Sequence, residues 1–368
     1  MREFRNRILE GDCVDIMHKL PDGCIDAVFA DPPYNLCLGK DLFRPDQTFV
    51  DAVDDDWDKP CEDYDEFTKN WLAEAKRVLK PNGAMWVMGS YHNIYKIGAM
   101  MQKLGFWIIN DVVWVKNNPM PNFKGTRFTN AHETLIWALP SRGATKYTFN
   151  YDTMKKQNGG KQMRSDWWLN ICLGPERLRD KDGRKVHSTQ KPMDLMERVI
   201  LATTKPGDII LDPFFGSGTT GAVAKKFHRD FIGIEREAAY IDAAGKRIEA
   251  TMPVADLSEY QAAEKKEEMR VAFEQLLELR LLSAGQTLVS PKGERVVITR
   301  DGMVQHALMG KRSIHQMAAL LQNTQAFNGW DYWSAIKRDG SLVSIDIVRD
   351  AARKMLVDID KEPLQKVA

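Results

Sequence analysis

Residues 208–235, DIILDPFFGSGTTGAVAKKFHRDFIGIE, contain a complete strand–turn–helix–strand pattern. Residues 208–211 form a short apolar run typical of a buried strand, and a glycine-rich turn follows them. A helix is predicted over 219–226 and a second buried strand over 230–235. A further helix is predicted over 193–204, and another follows the strand 230–235 and ends at about residue 250. This stretch therefore predicts a βαβ unit, which requires parallel strands.

A second alternating block lies nearer the N-terminus. Its strand 26–30 (DAVFA) ends at Asp31-Pro32-Pro33-Tyr34, where the two prolines stop the strand and stiffen the turn. The remaining predicted elements are a helix, a strand, a helix and a strand, over 67–79, 83–89, 93–103 and 107–115. Since strands and helices alternate in both blocks, we expect one α/β domain with a mostly parallel twisted sheet over residues 1–255.

The last third of the chain has a different pattern. Residues 256–270 are rich in Glu and Lys and predict a linker. Residues 271–368 contain short strand patterns separated by turn signals, such as Asp301-Gly302 and Asp339-Gly340. A segment of that length can bury a core of its own, so we expect a small separate α+β domain.

Composition excludes several classes of protein. The chain has 368 residues, 52 Lys+Arg against 51 Asp+Glu, and 43% hydrophobic residues, which is typical of a globular protein and not of a disordered one. No apolar run approaches the ~18 residues of a membrane span, and the start MREFRNRILEGD lacks a signal-peptide core, so we expect a cytoplasmic protein without membrane association. The cysteines have no CxxC spacing and predict neither disulfides nor a metal site: Cys13, Cys24, Cys37, Cys61 and Cys172.

Charge is unevenly distributed along the chain. Residues 1–113 carry 13 basic and 20 acidic side chains, residues 114–191 carry 15 and 6, and residues 192–368 carry 24 and 25. A concentrated basic segment in a neutral protein is typical of a surface that binds a polyanion. A solvated, lysine-rich loop region explains the same charge equally well.

The turn at 216–221, GSGTTG, satisfies the GxGxxG pattern of dinucleotide-binding proteins. Glu235 stands at the end of the following strand, where a carboxylate suits a ribose diol. The same arrangement can bind any adenosine-containing ligand on such a sheet, including S-adenosylmethionine. From these residues alone, a nicotinamide or flavin dinucleotide, S-adenosylmethionine and a purely structural turn all remain open.

The motif Asp31-Pro32-Pro33-Tyr34 favours methyl transfer to an amine. The exocyclic amine of adenine is a weak nucleophile because its lone pair is delocalised into the ring. The Asp31 carboxylate and the Pro32 carbonyl, each accepting one N–H bond, would stabilise the positive charge that develops on this nitrogen. Tyr34 offers a flat face for an extruded base. A strand-ending turn with a buried tyrosine is the structural alternative.

Together, the two motifs resemble those of the DNA amino-methyltransferases. The Asp31 motif precedes the glycine motif, which is similar to the circularly permuted β class. Residues 118–127 (NPMPNFKGTR), 130–133 (NAHE) and the C-terminal domain resemble the cell-cycle-regulated N6-adenine type, which modifies GANTC and carries a RAMA domain. In this family, aspartate before the two prolines favours adenine N6, whereas serine favours cytosine N4.

The resemblance implies a Rossmann-like, S-adenosylmethionine-dependent methyltransferase fold with circularly permuted motif order. It also implies a nucleoid-associated bacterial enzyme that acts on double-stranded DNA, and a homodimer is common in this class. The cofactor residues that it implies are Asp12 at the adenine, Glu235 at the ribose, and two segments around the rest of the cofactor: Thr189, Gln190, Lys191 and Pro192, and Asp212, Phe214, Gly216, Ser217, Gly218 and Thr219. The alternatives are a helix cap for Asp12 and a surface lysine for Lys191.

The target-recognition region is expected at about 116–186, within the basic segment. Candidate DNA contacts come from the long acidic loop after Tyr34, from this region and from the C-terminal domain: Arg44 and Trp57; Asn118, Pro119, Lys124, Arg127, Asn130, Arg164 and Ser165; and Trp330. A packed core position is the alternative for Trp330.

We therefore expect an N6-adenine DNA methyltransferase that uses S-adenosylmethionine and flips its target base. A cytosine-N4 methyltransferase would share every motif except base choice. A dinucleotide-dependent oxidoreductase leaves the Asp31 motif unexplained. A catalytically idle DNA-binding regulator is the alternative from a third class.

Overall fold

The computed structural model describes residues 1–35, 42–43, 49–50, 63–122, 125–262, 270–337 and 339–361, with the backbone alone at 42–43, 49–50 and 357–361. The chain divides into two compact units, Met1–Ala263 and Glu264–Ala368. The division falls inside the segment that the sequence predicts to be a linker. None of the helices in the described ranges is long and apolar enough to cross a bilayer.

The first unit alternates strands with helices, as its sequence pattern predicts. Its strands are β1 Arg7–Glu10, β2 Ile25–Ala30, β3 Leu42–Phe43, β4 Phe49–Val50, β5 Leu79–Gly89, β6 Trp107–Lys116, β7 His132–Leu139, β8 Asp166–Leu169, β9 Ile209–Asp212 and β10 Asp230–Glu235. Its helices are α1 Cys13–His18, α2 Tyr64–Val78, α3 Ile94–Lys103, α4 Tyr151–Gln157, α5 Met193–Thr203, α6 Thr219–Lys226 and α7 Ala238–Ala250.

Within the described ranges, eight of these strands form one sheet in the order β1-β10-β9-β2-β5-β7-β6-β8. Its neighbouring pairs are parallel except where β7 lies antiparallel between β5 and β6. The predicted α/β fold with a mostly parallel sheet is confirmed. The strand order reverses between β9 and β2, and open α/β sheets bind their ligands beyond the carboxyl ends of strands at such a point.

Both faces of the sheet are covered, which explains why its central strands are almost wholly apolar. On one face, Trp86 of β5 stacks on Trp137 of β7 at 5.6 Å, and its indole N–H donates to Thr203 of α5. On the other face, Trp71 of α2 packs with Met85 of β5, and both are fully buried. The two layers hold β2 and β9 rigidly between them, and both motifs follow these strands.

The segment after α7 differs from the predicted linker in its first half. Leu257 and Tyr260 pack against the core of the first unit. The side chain of Gln157 donates to the carbonyl of Tyr260 at 2.8 Å. Apolar side chains within a charged stretch explain the difference, because their burial overrides the overall composition.

The second unit has an antiparallel sheet in the order β14-β13-β12-β11-β15-β16, as far as the structure describes it. Its elements are α8 Phe273–Glu278, β11 Thr287–Val289, β12 Arg295–Ile298, β13 Val304–His306, β14 Gly310–Arg312, α9 Ile314–Leu321, α10 Gly329–Tyr332, β15 Ser334–Ile336, β16 Leu342–Ser344 and α11 Ile345–Lys361.

Trp330 belongs to the core of this second unit. Its side chain is 6% exposed, its ring lies 5.9 Å from that of Phe273, and the guanidinium of Arg349 lies 4.6 Å from its centroid. A side chain packed in this way has no free face for a base. The prediction of a DNA contact at Trp330 is therefore corrected to a core position.

Candidate active site

The Asp31-Pro32-Pro33-Tyr34 turn follows β2 directly and is anchored from a neighbouring helix. The hydroxyl of Tyr64, at the start of α2, donates to the carbonyl of Pro33 at 2.7 Å. The Tyr64 oxygen in turn accepts from the buried amide of Asn93 at 3.2 Å. The Tyr64 hydroxyl bonds to the carbonyl of Pro33 and not to that of Pro32. It therefore fixes the turn and leaves the Pro32 carbonyl, which is assigned to the substrate amine, unused by Tyr64.

Asp31 and Tyr34 lie in a chain of hydrogen bonds between two lysines. The Tyr34 hydroxyl lies 2.9 Å from Asp31 Oδ1 and 3.1 Å from Glu133 Oε2. Lys191 Nζ donates to Asp31 Oδ2, and Lys116 Nζ donates to Glu133 Oε1 at 2.6 Å. The four charged side chains are 10–17% exposed, and their charges cancel.

Burial and the neighbouring charges act against each other on the ionisation of Asp31 and Lys191. Burial raises the pKa of Asp31, against the opposing effect of the Lys191 ammonium. Burial also acts to lower the pKa of Lys191, but the Asp31 and Glu133 carboxylates outweigh it and leave the pKa raised. The pKa of Tyr34 stands well above its ordinary value because of burial and the two carboxylates. Tyr34 is therefore a hydrogen-bond donor and not a base at neutral pH.

The glycine turn follows β9 and is held by two carboxylates. Asp212 Oδ1 accepts from the Phe214 N–H at 2.9 Å, and burial raises the pKa of Asp212 to about 7. Glu235 Oε2 accepts from the Gly216 N–H at 2.7 Å. Gly216 has φ +49°, and a Cβ there would lie 3.0 Å from Nε2 of His187, so glycine is needed for both conformation and space.

One cleft contains both motifs. It is lined by all four residues of the Asp31 motif and by ten of the twelve predicted cofactor residues: Asp12, Thr189, Gln190, Lys191, Asp212, Phe214, Gly216, Ser217, Thr219 and Glu235. The other two, Pro192 and Gly218, do not line it and instead stand at the N-cap positions of α5 and α6.

Asp12, Gln190 and Lys191 also have contacts within the protein. Asp12 Oδ1 accepts from the Val14 N–H at 2.8 Å and so caps α1, as its alternative interpretation predicted, while the residue still lines the cleft. The side-chain oxygen of Gln190 accepts from the Leu178 N–H at 2.9 Å and so fixes the preceding loop. Lys191 is not a surface lysine, because its ammonium is bonded to Asp31.

The candidate DNA contacts lie outside this cleft, so far as the structure describes them. Pro119 is half-buried and Asn130 is exposed. The others have protein partners: Asn118 accepts from the Ile171 N–H, Arg127 lies over the ring of Tyr91, Arg164 pairs with Asp166, and the Ser165 carbonyl accepts from Val113. Arg44, Trp57 and Lys124 lie outside the described residues. Apart from Trp330, these contacts stay predictions.

Sequence reasoning missed the partners of the Asp31 motif. The NAHE string at 130–133 contains Glu133 but indicates no role for it, and Lys116 enters the sequence analysis only as the first residue of the target-recognition region. The register of β6 and β7, in which Trp114 pairs with Glu133, brings these two side chains together. The sequence signal that could have identified Glu133 is an acid directly before the mostly apolar run TLIWAL at 134–139.

The crevice at the strand-order reversal contains a glycine turn, a carboxylate at the end of the next strand and, in the same cleft, the Asp31 motif suited to an amine, and this combination is typical of an S-adenosylmethionine-dependent methyltransferase. A family model described as DNA methylase matches residues 25–246, and the chain belongs to that family. The chain is 46% identical over 352 residues to the type II methyltransferase M.HinfI of Haemophilus influenzae, with 95% of this chain and 97% of that protein covered.

Two solved structures are also similar. The crystal structure of the M1.HpyAVI-SAM complex is 31% identical, covers 66% of this chain and 98% of its own, and has a TM-score of 0.49. The cytosine-N4-specific PvuII DNA methyltransferase is 21% identical, covers 65% of this chain and 84% of its own, and has a TM-score of 0.50. Because the chain belongs to the DNA methylase family, the protein is a DNA methyltransferase with S-adenosylmethionine as its cofactor and DNA as its substrate.

Proposed function

We propose that the protein methylates N6 of adenine in duplex DNA at GANTC, after the target base has flipped out of the helix. The observation that carries the proposal is the position of Asp31. Its carboxylate lies in the same cleft as the glycine turn and is fixed on one side by Lys191 and on the other by Tyr34.

The cleft suits S-adenosylmethionine. Glu235 is held by three backbone N–H groups, from Gly216, Arg236 and Glu237, and a carboxylate has further lone pairs for a ribose hydroxyl. The absence of a side chain at Gly216 makes room for the ring of His187, which lines the same cleft. The ring of Phe214 supplies an apolar surface in the same cleft. When bound, this cofactor supplies an electrophilic methyl group on a positively charged sulfur.

The chain's own residues orient and activate the amine. Asp31 and the Pro32 carbonyl accept its two N–H bonds, which directs the nitrogen lone pair away from the ring and stabilises the developing positive charge. Asp31 need not be a strong base, because the nitrogen gives up its proton readily once it carries a fourth bond. The Asp31 side chain is only 17% exposed, and a base still paired within a duplex cannot reach such a group. Its burial supports base flipping.

Aspartate before the two prolines supports adenine N6 over cytosine N4, which is the remaining alternative for the same cleft. The resemblance of the strings at 118–127 and 130–133 to the GANTC type supports that target site and implies a solitary, cell-cycle-linked enzyme at the nucleoid of a bacterium. Homodimerisation is part of the same resemblance. For the second unit, a DNA-contacting role is supported by the exposed strand β14, which carries Lys311 and Arg312.

The proposal is tested by labelled-methyl transfer from S-adenosylmethionine to two duplexes. One contains a single GANTC, and the other contains the same site with both target adenines already N6-methylated. We expect label in the first duplex alone. Equal label in both would remove N6 of that adenine as the target, and no label in either, with the cofactor bound, would favour the idle regulator.

A further inference from the structure

The Tyr34 hydroxyl lies between two carboxylates but has one hydrogen to donate. Asp31 Oδ1 is 2.9 Å away and Glu133 Oε2 is 3.1 Å away, so both are within hydrogen-bond reach. A phenol donates to one of them at a time. While it donates to Asp31, it takes one of the two lone pairs of Oδ1 and weakens, as an acceptor, the carboxylate that in the proposed function must accept from the substrate amine.

We propose that Glu133 is a positioning residue that takes over the hydrogen bond of Tyr34 when the substrate amine bonds to Asp31. The exchange returns a lone pair of Asp31 Oδ1, and the negative charge on it, to the amine, and keeps the Tyr34 ring in place as the surface on which the base stacks. This inference rests on the proposed role of Asp31 and extends it to a second carboxylate.

Glu133 is suited to this role by its anchoring. It lies on β7 and its Lys116 partner on β6, two neighbouring antiparallel strands, so the pair is fixed by the sheet. Both side chains are 11% exposed and 2.6 Å apart. Burial acts to raise the pKa of Glu133, but Lys191 and Lys116 outweigh it and leave the pKa lowered. Glu133 therefore stays an ionised acceptor.

An isosteric substitution can lock the exchange in one state. In Glu133→Gln, the amide oxygen faces the Lys116 ammonium, which can only donate, and the amide NH₂ then faces the phenol. Since that NH₂ is a donor, the phenol must donate to Asp31. The carboxylate that should receive the substrate amine therefore keeps the Tyr34 hydrogen bond and remains the weaker acceptor.

The test is a double-mutant cycle on the single-turnover rate of methyl transfer, at saturating cofactor and DNA. We expect Tyr34→Phe and Glu133→Gln each to lower the rate by about tenfold, the effect of one hydrogen bond to a charged group. In the Tyr34→Phe background, Glu133→Gln should lower the rate by less than about twofold, because no hydroxyl remains to be exchanged. Effects that multiply to about a hundredfold would overturn the inference.

Glu197→Gln is the matched control. Glu197 forms a similarly buried pair with Lys226 at 2.5 Å, on helices α5 and α6 and outside the cleft. We expect it to lower thermal stability and leave the methyl-transfer rate unchanged. If Glu133→Gln fails to fold, Glu133→Leu with Lys116→Met keeps the charge balance, removes the second acceptor of the phenol and takes its place in the cycle. Full activity of Asp31→Ala would refute the proposed function itself, whereas loss of activity there with a multiplicative cycle would refute only the role of Glu133.

Discussion

Replacing Lys191 with methionine should move the pH dependence of catalysis. Asp31 must be ionised to accept from the amine, and its burial already raises its pKa, while Lys191 opposes that rise. Without Lys191, the pKa of Asp31 rises further. A neighbouring opposite charge shifts a carboxyl pKa by about 1–3 units, and this pair is in direct hydrogen-bond contact. The acidic limb of the rate profile should therefore move to higher pH by about 1–3 units.

The assay is single-turnover methyl transfer across pH 5–9 for the original protein, Lys191→Met and Lys191→Arg. The cofactor is kept saturating in each case, because Lys191 also lines the cofactor cleft. The variant Lys191→Arg keeps the positive charge and should keep the acidic limb near its original position. Coincident limbs for all three proteins would refute the assignment of Lys191 as the group that keeps Asp31 ionised, as would equal shifts in both variants.

Three further substitutions test other parts of the site. Asp31→Ala should abolish methyl transfer and leave DNA binding, measured by a mobility shift, largely intact; retained activity would contradict its role. Tyr64→Phe removes the bond to the Pro33 carbonyl and should lower the free energy of unfolding, measured with denaturant, by about 0.5–1.5 kcal/mol. An unchanged free energy of unfolding would show that other contacts hold the turn. Gly218→Ala places a Cβ 2.7 Å from that of Ala244 at φ +73°, and should lower the unfolding free energy by about 1–3 kcal/mol; an unchanged melting temperature would show that the turn relaxes freely.

Local patterns predicted the elements around the two motifs well. The helix predicted over 219–226 is α6, and the strand predicted over 230–235 is β10. Apolar periodicity between glycine and proline signals is a local property of the chain, so no knowledge of distant contacts was needed. The short strand β1 was not predicted, because it pairs with the distant strand β10. The strand β7 was not predicted either, because it lies in the basic segment 114–191, which was interpreted from its charge as a DNA-binding region.

The site was harder to predict where its contacts span the chain. The two motifs could be placed together because both end parallel strands of one sheet. The bond between Asp31 and Lys191 joins residues 160 positions apart, and the bond between Tyr34 and Glu133 joins residues 99 apart. A charge pattern along one sequence does not indicate which lysine will lie against which carboxylate. The same limit explains Trp330, whose aromatic pattern suited either a base contact or a core.

The product nucleoside tests the central claim most directly. DNA containing GANTC is incubated with the protein and deuterated-methyl S-adenosylmethionine, then digested to nucleosides and analysed by mass spectrometry. We predict that the label is found in N6-methyladenine, and that it is absent when Asp31→Ala replaces the original protein. Label in N4-methylcytosine would contradict the assignment of adenine as the base that Asp31 orients.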